Sequence, residues 1–293
     1  EESKGRMFVN TPDAIEGNRT EKCDTASAAF QSEKNGFIDM VGTEGEVIEQ
    51  IRALVSVLPA NNKDHDSYEV GADDLNRLCE GIESRVEDPA ELLAMLGDEY
   101  LFFETKRNYA KDMVTGFLKL NGMTVGTVAN RSAVYNEDGE KTDTYDGCLS
   151  ANGCQKAAEF VKFCDAFGIP VLTLTNVSGL HASMHSEQHL AKAMAMLTYA
   201  FTDATVPKVN VVTGKAYGSA YVTMNSKAVG ADLVYAWPNA EIGMMEADMA
   251  VKIMYTGADA EELARQAEAY RNLQSSPVSA AKRGYVDAII EPQ

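Results

Sequence analysis

The sequence predicts a layered α/β fold. Three observations carry this expectation. Apolar strand-like runs alternate with helical stripes through the C-terminal half, an Asn-Gly pair joins two strand-like runs, and two strands end in small-residue loops that lead into helices. Helices of ordinary length between apolar strands are what βαβ crossovers require.

Thr43-Glu44-Gly45-Glu46 has the spacing of a capping box, with Thr43 as the cap and Glu46 reaching back to it. Val47, Ile48, Ile51, Leu54, Val55 and Leu58 continue as a helical stripe, which Pro59 ends. The polar, turn-rich stretch 60–71 is expected to be a linker. Leu75, Leu78, Cys79, Ile82 and Val86 mark a second helix. Asp88-Pro89-Ala90-Glu91 opens a third, with a capping residue, a first-turn proline and Gly97 just past the end. Strands are expected at 114–120 and 123–129, joined by Asn121-Gly122, the preferred two-residue hairpin turn.

Ala157, Phe160, Val161, Cys164 and Phe167 share one face of a helix, and Ile169-Pro170 leads into a strand at 171–176. Leu190, Ala193, Met194, Leu197, Ala200 and Phe201 give the next helix its apolar face. Pro207 introduces a strand at 208–212; a further helix, strands near 233–237 and 242–244 and a late helix capped by Asp259 follow. The methionines, Met244 and Met245 among them, are expected to fill core space.

At 293 residues and 45% hydrophobic, the chain can bury a substantial core. Its 26 Lys and Arg against 44 Asp and Glu give a formal net charge of −18. A surface of that sign repels phosphate backbones and anionic membranes, which argues against nucleic-acid binding and membrane attachment. No apolar run approaches the length of a spanning helix, and the N-terminus shows no signal pattern. The start at Glu1 without an initiator Met leads us to expect a trimmed or fragmentary chain. Cys23, Cys79, Cys148, Cys154 and Cys164 are scattered and form no CxxC pair, so they read as buried thiols of a reducing, cytoplasmic compartment.

The chemistry is expected at the two strand ends, Thr175-Asn176-Val177-Ser178-Gly179 and 213–220. Ligands in α/β sheets bind beyond the carboxyl ends of strands, where helix N-termini offer unpaired N–H groups. Small residues at Gly218, Ser219 and Ala220 let a substrate oxygen approach the backbone, as an oxyanion hole requires. Tight packing of helix on sheet selects the same residues, and both readings stand at this point. Ser219 lacks the second glycine of a hydrolase elbow, so its N–H rather than its hydroxyl is the expected contributor. His181, His185 and His189 are spaced by four, but without the H-E-x-x-H pattern; a polar lid or solvated helix start is expected, and no metal.

The runs from Gly116 to Asn130, Ala157 to Pro170, Ala204 to Val209 and Gly214 to Tyr221 resemble the C-terminal half of biotin-dependent acyl-CoA carboxyltransferases. Gly230-Ala231-Asp232, Tyr235-Ala236-Trp237-Pro238, Ala240-Glu241-Ile242-Gly243 and Ala280 to Asp287 extend the resemblance in order and with similar spacing. The types it points to are the propionyl-CoA or methylmalonyl-CoA carboxylase β-subunit and the decarboxylase α-subunit. It implies a crotonase-like (ClpP/crotonase) layered fold with ββα-type repeats. Residues 1–58 would be the tail of an acyl-CoA-binding domain, 59–72 a linker and 73–293 the biotin-binding domain.

The resemblance also implies catalysis by oxyanion holes, with the N–H groups of Ser219 and Ala220 serving the biotin carbonyl. Tyr217, Gly218, Gly179 and Val222 would line the substrate. Implied partners are biotin on a biotin carboxyl carrier protein, an acyl-CoA such as propionyl-CoA or methylmalonyl-CoA, and further copies of the chain, as a dimer or trimer of dimers. Three departures stand out: Ser219 replaces the family's usual Gly, Val222 its frequent Asp, and Val177-Ser178-Gly179-Leu180 its frequent Val-Pro-Gly-Phe. A biotin-independent crotonase-like hydratase or thioesterase, using Glu241, Glu246 or Asp248 as acid or base, and a non-catalytic scaffold are the alternatives.

Overall fold

The computed structural model describes residues 2–16, 24–63, 73–136 and 138–292. Cys23 and most of the expected linker lie outside the described residues. The helix α1 (Glu44–Val57) starts on the predicted capping box, Thr43 accepting from the Glu46 N–H and the Glu46 carboxylate accepting from the Thr43 N–H. Only part of its apolar stripe is covered: Leu54, Val57 and Leu58 pack on the core, while Ile48, Ile51 and Val55 are exposed.

The second predicted helix does not form. Residues 75–86 hold one 3-10 turn, Ile82–Arg85, entered through Gly81 at φ 77°. Leu75 and Leu78 point to solvent, while Cys79 and Ile82 are buried against α2 (Pro89–Leu96) and the sheet. Asp74, just before the stripe, accepts from the Asn76 N–H, and apolar spacing behind it did not outweigh the turn. The α2 helix forms as predicted, with the Asp88 carboxylate accepting from the Ala90 N–H.

An eight-stranded sheet organises the rest. It contains β1 (Phe103–Thr105), β2 (Met113–Leu120) and β3 (Met123–Asn130), all antiparallel. Asn121 and Gly122 turn the β2–β3 hairpin at φ 51° and 80°, and the Asp98 carboxylate accepts from both of their N–H groups. A small hairpin, β4 (Ala133–Tyr135) with β5 (Lys141–Thr144), and the short β6 (Cys148–Leu149) lead to the helix α3 (Ala151–Ala166).

The strand β7 (Val171–Val177) then joins β3 in parallel, and the two-residue β8 (Gly179–Leu180) pairs with β6. The helix α4 (Met184–Asp203) crosses over to β9 (Lys208–Tyr217), parallel to β7. A short helix α5 (Gly218–Thr223) leads to β10 (Leu233–Ala236) and β11 (Glu241–Gly243), each parallel to a different part of β9. The chain ends with α6 (Ala247–Met254), α7 (Ala260–Tyr270), α8 (Pro277–Lys282) and the edge strand β12 (Ala288–Ile289).

Side chains on a strand alternate between faces, and here they divide cleanly. Met113, Phe117, Val128 and Val171 face α3 and α4. Val114, Leu118, Val125, Ala129 and Leu174 face Leu92 and Leu93 of α2. A third cluster, Val212, Ala216, Val234, Ile242 and Val286, closes the end of the sheet that carries α5.

Met244 and Met245 are exposed, Met244 at 78%, rather than filling the core. They precede α6, whose buried side is formed by Ala247, Ala250 and Val251. Among the cysteines, Cys79, Cys154 and Cys164 are buried, whereas Cys148 is only half-buried.

Candidate active site

The two strand ends named from the sequence lie side by side, because β7 and β9 are neighbours in the sheet. Their pairing is interrupted: Thr175 faces Val212, but Val177 faces Ala216, so β9 carries extra residues opposite Asn176. The Asn176 side chain fills this bulge. The Asn176 backbone N–H donates to Asn130 Oδ1 at 3.2 Å, and the side-chain Oδ1 accepts from the Lys215 backbone N–H at 3.0 Å. Gly214 is required opposite it, since a Cβ there would fall 2.5 Å from Asn176 Oδ1.

The expected loop at 213–220 is shorter than predicted. β9 continues through Tyr217, and the whole change of direction falls on Gly218 at φ 58°. Only glycine adopts that backbone without strain. A Cβ at Gly218 would also lie 3.1 Å from the Met244 carbonyl oxygen. The helix starts at once, so the first-turn N–H groups of Ser219 and Ala220 precede its i→i−4 ladder.

The far end of α5 is held from the sheet. The Met224 carbonyl accepts from Asn210 Nδ2 at 3.1 Å and from Thr175 Oγ1 at 3.4 Å. These are buried polar side chains in the parallel strands beneath the helix, and Thr175 also donates to Asn210 Oδ1 at 2.8 Å. Ser219 is exposed, Ala220 is buried and Val222 is 40% exposed. Gly179, half-buried, pairs with Cys148, and β8 packs against α5. The structure therefore gathers Gly179, Gly218, Ser219, Ala220 and Val222 at one edge.

Tyr217 takes a different position. Its ring is 2% exposed, and its hydroxyl donates to the Glu241 carboxylate. Burial, together with that carboxylate, pushes the phenol well above its ordinary value. Two residues back along β9, the Lys215 Nζ lies 3.0 Å from Glu246 Oε1. Asp248 pairs with Arg271 at 2.9 Å. Sequence reasoning passed over the bridging role of Asn176 and the partnership of Tyr217 with Glu241. Each lies within a segment it had named, but only the sheet register joins them.

The three histidines do not share a helical face. His181 precedes the Ser183 cap of α4, and its Nδ1 lies 2.7 Å from Asp146 Oδ2. His185 and His189 lie on α4 with ring centroids 4.6 Å apart. Among the described residues, no three His, Cys, Asp or Glu side chains come together as a metal-binding group. A cavity of about 820 Å³ lies elsewhere, between α1, α2 and the β4–β5 hairpin; Asp88, Glu104 and Arg131 line it, and no residue of the candidate edge does.

The mixed sheet, the helices that cross over between its parallel strands and a strand that ends on a left-handed glycine form an α/β fold of the crotonase-like class. Comparison with known proteins gives the particular family. Residues 1–293 match the carboxyl transferase domain, and the chain belongs to that family. It is 37% identical over 301 residues to the propionyl-CoA carboxylase beta chain of Roseobacter denitrificans, with 98% of this chain and 57% of that one covered.

It is 34% identical over 306 residues to the methylmalonyl-CoA carboxyltransferase 12S subunit of Propionibacterium freudenreichii subsp. shermanii, covering 99% of this chain and 56% of that one. The crystal structure of the transcarboxylase 12S hexamer, with methylmalonyl-coenzyme A and methylmalonic acid bound, superposes with a TM-score of 0.85 at 34% identity. That match covers 98% of this chain and 56% of the other. The chain thus spans little more than half the length of these relatives.

Proposed function

We propose that the chain is part of a carboxyltransferase that moves a carboxyl group between carboxybiotin and an acyl-CoA of the propionyl-CoA or methylmalonyl-CoA type. The observation that carries this reading is the Gly218 turn, which brings the Ser219 and Ala220 N–H groups to the edge shared with Gly179. The sequence similarity to carboxylase and carboxyltransferase subunits gives the turn its substrate.

The residues present fit a biotin ring. Gly218 has no side chain, Ser219 and Val222 reach solvent, and the cation before the turn, Lys215, is tied to Glu246. Such an edge suits a neutral ureido group approaching from solvent on a carrier protein. Biotin supplies the ring nitrogen that carries the carboxyl group. The chain's own residues bind and orient: the Ser219 and Ala220 N–H groups donate to the ureido oxygen, where negative charge is stabilised. Gly179 and Val222 flank the bound groups, and Tyr217 supports the turn from beneath.

Residues 1–58 are assigned to the tail of an acyl-CoA-binding domain and 73–293 to the biotin-binding domain. A facing domain from another copy would complete the acyl-CoA site, so the working form is an oligomer served by a biotin carboxyl carrier protein. No described helix is long and apolar enough to cross a membrane. A cytoplasmic location is part of this proposal. A biotin-independent hydratase or thioesterase needs a free acid or base beside the turn. Glu241, Glu246 and Asp248 are each engaged, with Tyr217, Lys215 and Arg271.

The test is carboxyl transfer by the whole protein with its biotin carrier and propionyl-CoA or methylmalonyl-CoA. Proline is tolerated in the first turn of a helix but deletes an N–H. Ser219→Pro is therefore expected to cut turnover by about 100-fold or more. Unchanged transfer in this variant and in Ala220→Pro would remove the proposed hole.

A further inference from the structure

The segment that follows β10 is fastened to β9 at two points, both at the end that carries the turn. β11 runs parallel to β9 with Glu241 opposite Lys215 and Gly243 opposite Tyr217. Glu241 accepts from the buried Tyr217 hydroxyl, and Glu246, the cap residue of α6, accepts from Lys215 Nζ at 3.0 Å. Between these two fastenings the Met244 carbonyl oxygen sits against Gly218, 3.1 Å from where a Cβ would project. The second Glu241 oxygen lies 4.0 Å from Arg271, which also holds Asp248 at 2.9 Å in the first turn of α6.

Tyr217 is the last residue before the left-handed glycine, so any rotation of its backbone is passed directly to Gly218 and to the N–H groups that follow. Its ring makes no approach to solvent, which leaves the phenol free for support rather than for substrate. A hydrogen bond to a carboxylate is among the strong ones, and here it joins the turn to an element with its own anchors in α6 and Arg271.

We infer that Glu241 is a positioning residue for the candidate site, setting the direction of the Ser219 and Ala220 N–H groups through the Tyr217 hydroxyl. This rests on the reading of the turn given above. Glu241 touches no reacting atom; it acts through Tyr217 alone.

The experiment uses the whole protein with its biotin carrier and propionyl-CoA, comparing Tyr217→Phe, Glu241→Ala, Glu241→Gln and the double variant Tyr217→Phe/Glu241→Ala. Loss of a hydrogen bond to a charged group makes a fall in kcat of about tenfold or more the expected result for Tyr217→Phe and Glu241→Ala. The KM for acyl-CoA stays at its wild-type value. Because the two groups act as one unit, the double variant falls no further than either single variant. Glu241→Gln, which keeps an acceptor oxygen, recovers most of the loss.

Melting temperature is measured in parallel. A fall in stability with kcat per folded molecule intact overturns the inference, as do losses that multiply in the double variant. Wild-type protein that transfers no carboxyl group overturns the reading of the turn, and the inference with it. Wild-type transfer alongside unchanged kcat in both single variants overturns the positioning role alone.

Discussion

Lys156, on α3, holds its Nζ 2.7 Å from the carbonyl oxygen of Met113, where β2 begins. The Tyr109 carbonyl, at the entry to that strand, accepts from the same Nζ at 2.8 Å. The side chain is 1% exposed, so one ammonium group joins the core helix to the start of the sheet from inside the protein. Burial lowers its pKa from 10.5 to about 8.

Lys156→Met keeps the stem and leaves both carbonyls without their donor. The expected loss is about 2–3 kcal/mol of stability, read from urea denaturation. The pH dependence gives a second signature. The folded pKa lies below the unfolded one, so the unfolded chain binds more protons between about pH 8 and 10.5. Wild-type stability therefore rises with pH across that window and falls as the pH returns to about 8. The variant is expected to lose this slope.

Arg131 is buried between two carboxylates, Nε 2.8 Å from Asp88 Oδ1 and Nη1 2.9 Å from Glu104 Oε1. Against the cost of burial, Glu104 and Asp88 hold the guanidinium above its ordinary pKa. Removing one member strands the others, so Arg131→Met is expected to cost about 3–5 kcal/mol. Chemical denaturation measures it, and a cost under about 1 kcal/mol, the range of a surface pair, would contradict the buried arrangement.

Gly218→Ala puts a Cβ on a left-handed backbone and against the Met244 carbonyl. The conformational strain alone is about 1–2 kcal/mol. If the turn relaxes to relieve it, carboxyl transfer falls more steeply than stability does. Parallel measurement of melting temperature and turnover separates the two effects.

Gly214→Ala is expected to displace the Asn176 side chain, because the added carbon falls 2.5 Å from Asn176 Oδ1. The Lys215 N–H then loses its acceptor, at a cost of about 1–3 kcal/mol. Faster amide exchange at Lys215, with little change at Val212, is the outcome that checks it.

Much of the local structure was legible in the sequence. Thr43, Asp88 and Asp259 cap the helices they were expected to cap, and Asn121-Gly122 turns the predicted hairpin. Each depends on residues within a few positions of one another. The false helix at 75–86 arose because apolar spacing alone does not distinguish a helix from a turn that buries Cys79 and Ile82. The bulge at Asn176, the Tyr217–Glu241 pair and the Arg131 cluster join residues brought together by the sheet, and no periodicity announces them. Lys156 likewise finds its two carbonyl acceptors only where the fold lays the start of β2 beside α3.

The adjacency of β7 and β9 also has a consequence for how the molecule comes into being. The two strands meet only after α4 has carried the chain back across the sheet, so the closure entropy of 178–207 must be met before their contacts reward it. The edge that holds Gly179 and Ser219 has no precursor in either strand alone. It is born with the central pairing of the sheet, and a nascent chain that has released α4 but still retains β9 within the ribosome carries Gly179 without Ser219.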